Sequence, residues 1–237
     1  MGFSEVFKMT DDRLNLYGDR RRPAAKGRGM DIASQRVDEL DRSALEFTQS
    51  LLERHQSVSI LDAGCGQGAM AVRFAKLGAT VLAVDLSDQF KSMVELAFRS
   101  GLKKSPGFEQ DDLRSWDPIG RRFHIILCQR TLHYLSFQDA ETVVRKFLGC
   151  LEAGGRMFLS VSGMESELAE GYPGISQPVM KRYVPLSPGM AGKHGIKGPV
   201  CLYRTEEFGA LVKRAGGRVI DIFCSPFGNA KLVAEHG

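Results

Sequence analysis

Three glycines and two carboxylates carry the strongest chemical signal in the chain. In SILDAGCGQGAMAVRFAKLGATVLAVDLSD, Ser59 to Asp88, an apolar run leads into Gly64, Gly66 and Gly68. Asp62 stands two residues before the first glycine, and Asp85 closes the next apolar run. A glycine loop between a strand and a helix lets backbone approach a ligand with no Cβ in between. With Ala69 in the last place the spacing satisfies GxGxx(G/A), and Asp85 lies 21 residues beyond Gly64, near the spacing of a ribose-binding acid. Asp85 therefore suits any adenosine-containing ligand.

Asp62 discriminates among such ligands. A dinucleotide site turns loop amides and a helix N-terminus toward a pyrophosphate, and a carboxylate beside it would repel that anion. S-adenosylmethionine carries a sulfonium and an ammonium and has no phosphate. A buried Asp62 would favour that cationic head. An NAD-linked oxidoreductase is the weaker reading for the same reason.

The elements around the loop alternate. VSILDA reads as a strand, GAMAVRFAKLG as a helix stopped at Gly78, and TVLAVDL as a strand. SDQFKSMVELAFRSG reads as a helix with Ser87 as N-cap and Gly101 as C-cap. FEQDD and FHIILCQ read as strands, FQDAETVVRKFLGCLEAGG as a helix and RMFLSVSG as a strand. Alternation of this kind predicts an α/β fold with a mostly parallel sheet, covered by helices on both faces. From Met164 to about Val200 the rhythm gives way to glycines and prolines, as expected of a lid. RTEEFGALVKRAGG follows as a helix with Thr205 as N-cap, and RVIDIF and NAKLVAEH as a closing antiparallel hairpin. Ahead of the glycine loop, Ile32, Val37, Leu40, Leu45, Phe47, Leu51 and Leu52 repeat at helical spacing, predicting a helix over about 31–55. Residues 1–29 read as a basic arm with a short helix around Asp11 to Tyr17. The expected organisation is an N-terminal arm and helices over 1–55, and one catalytic-type domain over 56–237 with a lid insertion at about 163–202.

In order along the chain, these segments resemble the class I S-adenosylmethionine-dependent methyltransferases. LDAGCGQG resembles the family's (D/E)xGxGxG loop, VLAVDLS its ribose-acid segment, and FEQDDLRSW the segment whose acid reads adenine. FHIILCQRTLHYL resembles the fourth-strand segment beside the methyl donor, and LEAGGRMFLSVSG the fifth strand. The resemblance covers about 56–162 and 203–236. It implies a Rossmann-like, doubly wound sheet of seven strands, mostly parallel, with a C-terminal antiparallel strand. It also implies S-adenosyl-L-methionine as donor and S-adenosyl-L-homocysteine as product.

Residue by residue, the resemblance places Asp62, Gly64, Cys65 and Gly66 at the methionine end, with Gly68 shaping the turn. Asp85 holds the ribose and Leu86 lies against adenine. Asp112 with Leu113 reads the adenine edge, Asp111 being the alternative in the next register. Gln129 touches the donor, and Tyr17 closes over it. His133 is the candidate base, since an imidazole can take a proton from a hydroxyl or amine. Tyr134, Tyr172, Arg182 and Tyr183 are candidates for the acceptor pocket. Arg20 to Arg22, Lys26 and Arg28 form a basic run suited to a phosphate or carboxylate on the acceptor.

Composition narrows the class. Apolar residues are 43% and charged residues 25%, ordinary for a globular protein, and no apolar run nears the roughly 18 residues of a membrane span. The N-terminus lacks a signal-peptide stretch, so the expected location is the cytoplasm. Five cysteines with no CxxC pair and five scattered histidines show no zinc spacing, and no metal is expected. Neither a Pro-Cys pair nor a (D/N/S)PP(Y/F/W) motif is present, which favours a small-molecule acceptor over nucleic acid. An RNA or protein acceptor, or a regulatory protein that binds the donor without turnover, are the alternatives.

Overall fold

A computed structural model describes residues 23–30 and 36–237 of the chain. Tyr17, the short helix expected near it and Arg20 to Arg22 lie outside the described residues. The elements run in the order α1 (Glu39–Leu52), β1 (Ser59–Ala63), α2 (Ala69–Leu77), β2 (Thr80–Asp85), α3 (Phe90–Arg99), β3 (Gly107–Gln110) and β4 (Phe123–Gln129). Then come α4 (Phe137–Gly149), β5 (Leu151–Ser162), β6 (Val184–Pro185), α5 (Pro188–His194), β7 (Pro199–Val200), α6 (Thr205–Arg214), β8 (Gly217–Cys224) and β9 (Asn229–His236).

The main sheet has seven strands in the order β3-β2-β1-β4-β5-β9-β8. All pairs from β3 to β5 are parallel, and β9 runs antiparallel between β5 and β8. This is the doubly wound fold the sequence predicts. Alternation along the strands builds two cores. Leu61 and Ala63 of β1 and Ile126 and Cys128 of β4 face one helical layer, while Ile60, Ile125 and Leu127 face the other. The strand order reverses between β1 and β4. In sheets of this kind the crevice for a ligand opens beyond the carboxyl ends of the strands at that switch.

Several boundaries differ from expectation, each for a local reason. Of the helix expected over about 31–55, residues 31–35 lie outside the described residues; α1 begins at Glu39, where Asp38 caps it: its Oδ1 accepts from the amides of Leu40 and Asp41, and Asp41 Oδ2 accepts from the Asp38 amide. Lys231 of β9, 2% exposed, ties this start to the sheet through Asp38 at 2.8 Å and Glu39 at 3.0 Å. Leu40, Ala44 and Leu51 pack α1 into one of the sheet's two cores. Ser87 does not cap α3: the helix starts at Phe90 with Gln89 in the cap position, and the Ser87 amide instead donates to Asp85 Oδ1 at 2.9 Å. The helix expected through Gly155 stops at Gly149, and Leu151 already pairs with Phe123 ahead of a register shift in β5. In α6 the cap is Arg204, whose amide donates to Glu207, and Thr205 is the first helical residue.

The insertion between β5 and α6 has a small apolar cluster of its own, including Leu168, Tyr172, Leu186, Ile196 and Leu202. Its strands β6 and β7 pair antiparallel. Among the described residues no helix is long and apolar enough to cross a membrane.

Candidate functional site

At the switch point lies a cavity of about 540 Å³. The glycine loop forms its floor through Gly64, Cys65, Gly66 and Gln67. All three motif glycines have positive φ: 73° at Gly64, 52° at Gly66 and 79° at Gly68. Their reasons differ. A Cβ on Gly64 would sit 2.2 Å from Thr131 Oγ1, and one on Gly68 would sit 2.6 Å from Met93 Cγ. At Gly66 a Cβ would meet nothing within 4 Å. Gly64 and Gly68 therefore serve packing, whereas Gly66 keeps open the space beside the cavity.

Asp85 pins the loop from the end of β2. Its Oδ2 accepts from the Gly66 amide and its Oδ1 from the Ser87 amide, each at 2.9 Å. Burial raises its pKa, opposed by those amides and by the nearby Arg28 and Lys26. Leu86 and Leu113 line the same end of the cavity.

Asp62 is placed differently from its sequence reading. It is 4% exposed, lies outside the cavity wall, and its Oδ2 accepts from the Ala71 amide at 2.9 Å. It thus fastens the first turn of α2 beneath the loop. Burial lifts its pKa to about 7; the Ala71 amide opposes that, and Asp41 and Asp85 add to it.

Asp111 and Asp112 both reach the cavity. Both oxygens of Asp112 are taken by the Arg114 guanidinium, 2.6 Å away at the closest approach, which holds its pKa down. Asp111 Oδ1 accepts from the Asp112 amide and from Ser115 Oγ, and its Oδ2 takes part in neither bond. Gln129 lines the cavity, but its amide is held by Asp41 and Asp38 on one side and by Ser160 Oγ on the other.

His133 lines the cavity yet is 2% exposed. Its Nδ1 faces the Ser162 amide at 3.4 Å and its Nε2 faces Ser162 Oγ at 3.3 Å. Burial, with Arg130 and Arg28 nearby, lowers its pKa to about 3, so the ring is neutral. Tyr134 also lines the cavity; its hydroxyl donates to the Arg28 carbonyl at 2.7 Å, and burial raises it to about 12.

The other acceptor-pocket candidates lie off the wall. Tyr172, 1% exposed, has its hydroxyl within hydrogen-bond reach of the Val200 and Arg182 carbonyls, which share its one proton. Arg182, also 1% exposed, forks onto Glu207 at 2.5 and 2.9 Å and donates to the Leu202 and Gln177 carbonyls. A buried guanidinium needs partners for its donors, and these bonds supply them by clamping the insertion to α6. Tyr183, 38% exposed, donates to the Tyr134 carbonyl at 3.0 Å without lining the cavity.

Apart from Arg28, the cavity's roof comes from residues that the sequence reading did not single out. The insertion supplies Glu167, Lys193, His194 and Ile196, and the hairpin end supplies Phe227 and Asn229. Lys193 pairs with Glu167, and His194 Nε2 lies 3.0 Å from Glu167 Oε2. The arm supplies Arg28, Gly29 and Met30, with Arg36 just ahead of α1. Arg28 bridges to Ile196, the Lys197 amide donates to the Gly27 carbonyl at 3.0 Å, and Lys26 Nζ donates to the Leu86 carbonyl at 2.9 Å. The arm therefore spans the cavity from the loop after β2 to the insertion. Of the basic run, Arg28 alone among the described residues reaches the wall.

Residues 60–155 match a family described as a methyltransferase domain. Among curated proteins, the chain is 30% identical over 118 residues to a ubiquinone biosynthesis O-methyltransferase of Xanthomonas euvesicatoria pv. vesicatoria (strain 85-10), covering 49% of this chain and 47% of that one. A protein of the same description from Coxiella burnetii (strain Dugway 5J108-111) is 27% identical over 103 residues, covering 43% and 42%. The chain spans about half the length of the curated relatives it matches. Among solved structures, an S-adenosylmethionine-dependent methyltransferase from Clostridium acetobutylicum ATCC 824 aligns with TM-score 0.61 at 16% identity, covering 85% of this chain and 93% of that one. The Burkholderia thailandensis 1,6-didemethyltoxoflavin-N1-methyltransferase, solved with 1,6-didemethyltoxoflavin and S-adenosylhomocysteine, aligns with TM-score 0.61 at 22% identity over 84% and 78%. At these identities the structural likeness speaks to the fold.

Proposed function

We propose that this protein, whose residues 60–155 match a methyltransferase domain family, methylates a small molecule using S-adenosylmethionine. One observation carries the donor reading. Gly66 is pinned by Asp85 with its Cβ direction left open, beside a carboxylate whose remaining lone pairs suit ribose hydroxyls. Asp85 would hold the ribose, and Leu86 and Leu113 would flank the adenine. The preference for the adenine edge moves from Asp112, engaged by Arg114, to Asp111 through its Oδ2. Gly64, Cys65 and Gly66 would line the methionine end. Gln129 would act through its backbone, its amide being occupied by α1 and β5.

When bound, S-adenosylmethionine supplies a methyl group on a sulfonium, already activated for displacement. The chain's own contribution is alignment and exclusion of water, with the arm and the insertion as roof; positioning alone is worth roughly 7–11 kcal/mol in a well-aligned pair. The names of the relatives, O-methylation in ubiquinone biosynthesis and N1-methylation of 1,6-didemethyltoxoflavin, support a small-molecule acceptor. Titration calorimetry with S-adenosylmethionine and S-adenosylhomocysteine tests the donor reading: saturable, one-to-one binding is expected, and its absence defeats the reading.

His133 offers its Nδ1 lone pair to the Ser162 amide, which suits a positioning role. His194 is a second candidate base: it lines the cavity, with its Nε2 3.0 Å from Glu167 Oε2. His194→Gln is expected to lower kcat by about 10²–10⁴ with donor affinity unchanged, the usual range for a lost base. His133→Gln should instead act mainly on KM. The opposite ranking returns the role to His133.

A further inference from the structure

We propose that Asp41, a residue outside the cavity wall, is a positioning residue for methyl transfer: acting through Gln129, it holds the turn after β4 against the glycine loop. This rests on the function proposed above. The turn joins the donor loop to the rest of the cavity. Gln129, Arg130 and Thr131 all line the cavity. Thr131 packs on the loop so closely that a Cβ on Gly64 would fall 2.2 Å from its Oγ1, and that Oγ1 donates to the Gln129 carbonyl at 3.0 Å. Arg130 stands at φ 50°, in the left-handed region that side chains disfavour. A residue in that conformation persists only where its surroundings hold it.

A continuous set of bonds does the holding. The Arg130 amide donates to the Ser160 carbonyl at 2.9 Å and to Ser160 Oγ at 3.0 Å. Ser160 Oγ in turn donates its proton to Gln129 Oε1 at 2.9 Å. That bond fixes which end of the Gln129 amide is which, so Nε2 must face α1. There it donates to Asp41 Oδ1 and, at 3.4 Å, to Asp38 Oδ1. Asp41 Oδ2 accepts from the Asp38 amide at 3.0 Å, so both oxygens of Asp41 face donors and the side chain serves as a carboxylate. Asp38 is tied to Lys231 of β9 at 2.8 Å. Asp41, Ser160 and Lys231 are all buried. Stability alone is a poor reason for such a cluster, because apolar residues of similar size often serve as well or better. An apolar cluster could not fix one orientation of the Gln129 amide, and with it the turn that carries Arg130 and Thr131.

Exchanging the two ends of the central bond tests the proposal. Asp41→Asn leaves one oxygen for two donors, the Asp38 amide and Gln129 Nε2, so its own NH2 must face one of them. Adding Gln129→Glu gives that NH2 an acceptor and restores the net charge of the cluster. The rate of label transfer from labelled S-adenosylmethionine to a small-molecule cell extract is measured at saturating donor. Melting temperature and S-adenosylhomocysteine affinity are measured beside it. Asp41→Asn is expected to slow transfer per folded molecule at least about tenfold, since a misplacement of about 1 Å costs up to about 100-fold. Affinity for S-adenosylhomocysteine should stay within about threefold, and the exchanged pair should recover the rate to within about threefold. Ser160→Ala cuts the link at its other end and should slow transfer in the same way; it carries the test if Asp41→Asn does not fold. A folded single variant with an unchanged rate, or an exchanged pair that recovers the melting temperature without the rate, makes Asp41 purely structural and overturns the proposal. A loss of S-adenosylhomocysteine affinity as large as the loss of rate also overturns it, because the network then serves donor binding. Unsubstituted protein that binds no S-adenosylhomocysteine, or labels nothing, is a different result and defeats the proposed function itself.

Discussion

Gly66→Ala should fold normally and yet bind S-adenosylmethionine at least about tenfold more weakly, a loss of about 1.4 kcal/mol or more. The residue sits at φ 52°, in the left-handed region, where an alanine costs about 1–2 kcal/mol. Nothing lies within 4 Å of the added methyl, so no packing penalty joins that strain. Gly66 lines the cavity and its amide is held by Asp85, so the methyl intrudes on ligand space and cannot swing away without breaking that bond. Gly64→Ala separates the two effects. Its Cβ would fall 2.2 Å from Thr131 Oγ1 and 2.8 Å from Thr131 Cβ, and the Gly64 amide is bound to the Val84 carbonyl at 2.7 Å. There the loop must move, so stability and binding should fall together. Thermal melting and calorimetry on both variants check this. Equal donor affinity for Gly66→Ala and the unsubstituted protein would mean that the donor does not lie against Gly66.

The contrast between these two glycines shows which part of the site the sequence makes legible. A strand, a glycine turn and a helix follow from local rules: apolar alternation, positive φ and helical spacing all act within a few residues. Hence β1, the loop, α2 and Asp85 fall where the sequence puts them. Asp62 is legible as a special acid but not as an anchor for α2, because its bond to Ala71 depends on how the helix folds back over the strand. The insertion is the least legible region. Tyr172 and Arg182 have the chemistry of ligand contacts, yet a buried tyrosine and a buried arginine are also what a long glycine- and proline-rich segment needs to satisfy its carbonyls. Only the tertiary fold decides which use prevails. Conversely, Lys193, His194, Phe227 and Arg36 carry no local pattern; they meet at one wall because the arm, the insertion and the hairpin converge there.

Asp62 supplies the second large effect, and it appears as a dependence on pH. In the unfolded chain its pKa is the ordinary 3.8, and in the fold burial lifts it to about 7. An acid with a raised folded pKa imposes no penalty below its unfolded value and its full penalty above its folded value, so the fold weakens as pH rises from about 4 to about 7. The span corresponds to about 4 kcal/mol as an upper bound. Asp62→Asn keeps an oxygen for the Ala71 amide and has no charge to bury. In urea titrations its stability relative to the unsubstituted protein should therefore improve by at least about 1 kcal/mol between pH 5 and pH 8. The same ionisation links Asp62 to the donor from beneath the loop. A sulfonium and an ammonium above the loop favour the carboxylate over the carboxylic acid, so affinity for S-adenosylmethionine should fall as pH drops below about 7. S-adenosylhomocysteine, lacking the sulfonium, should lose less, and Asp62→Asn should flatten the difference. An identical pH profile for S-adenosylmethionine in Asp62→Asn and the unsubstituted protein would leave Asp62 with the mechanical task alone: holding α2 under a loop whose selectivity for a cation comes from elsewhere.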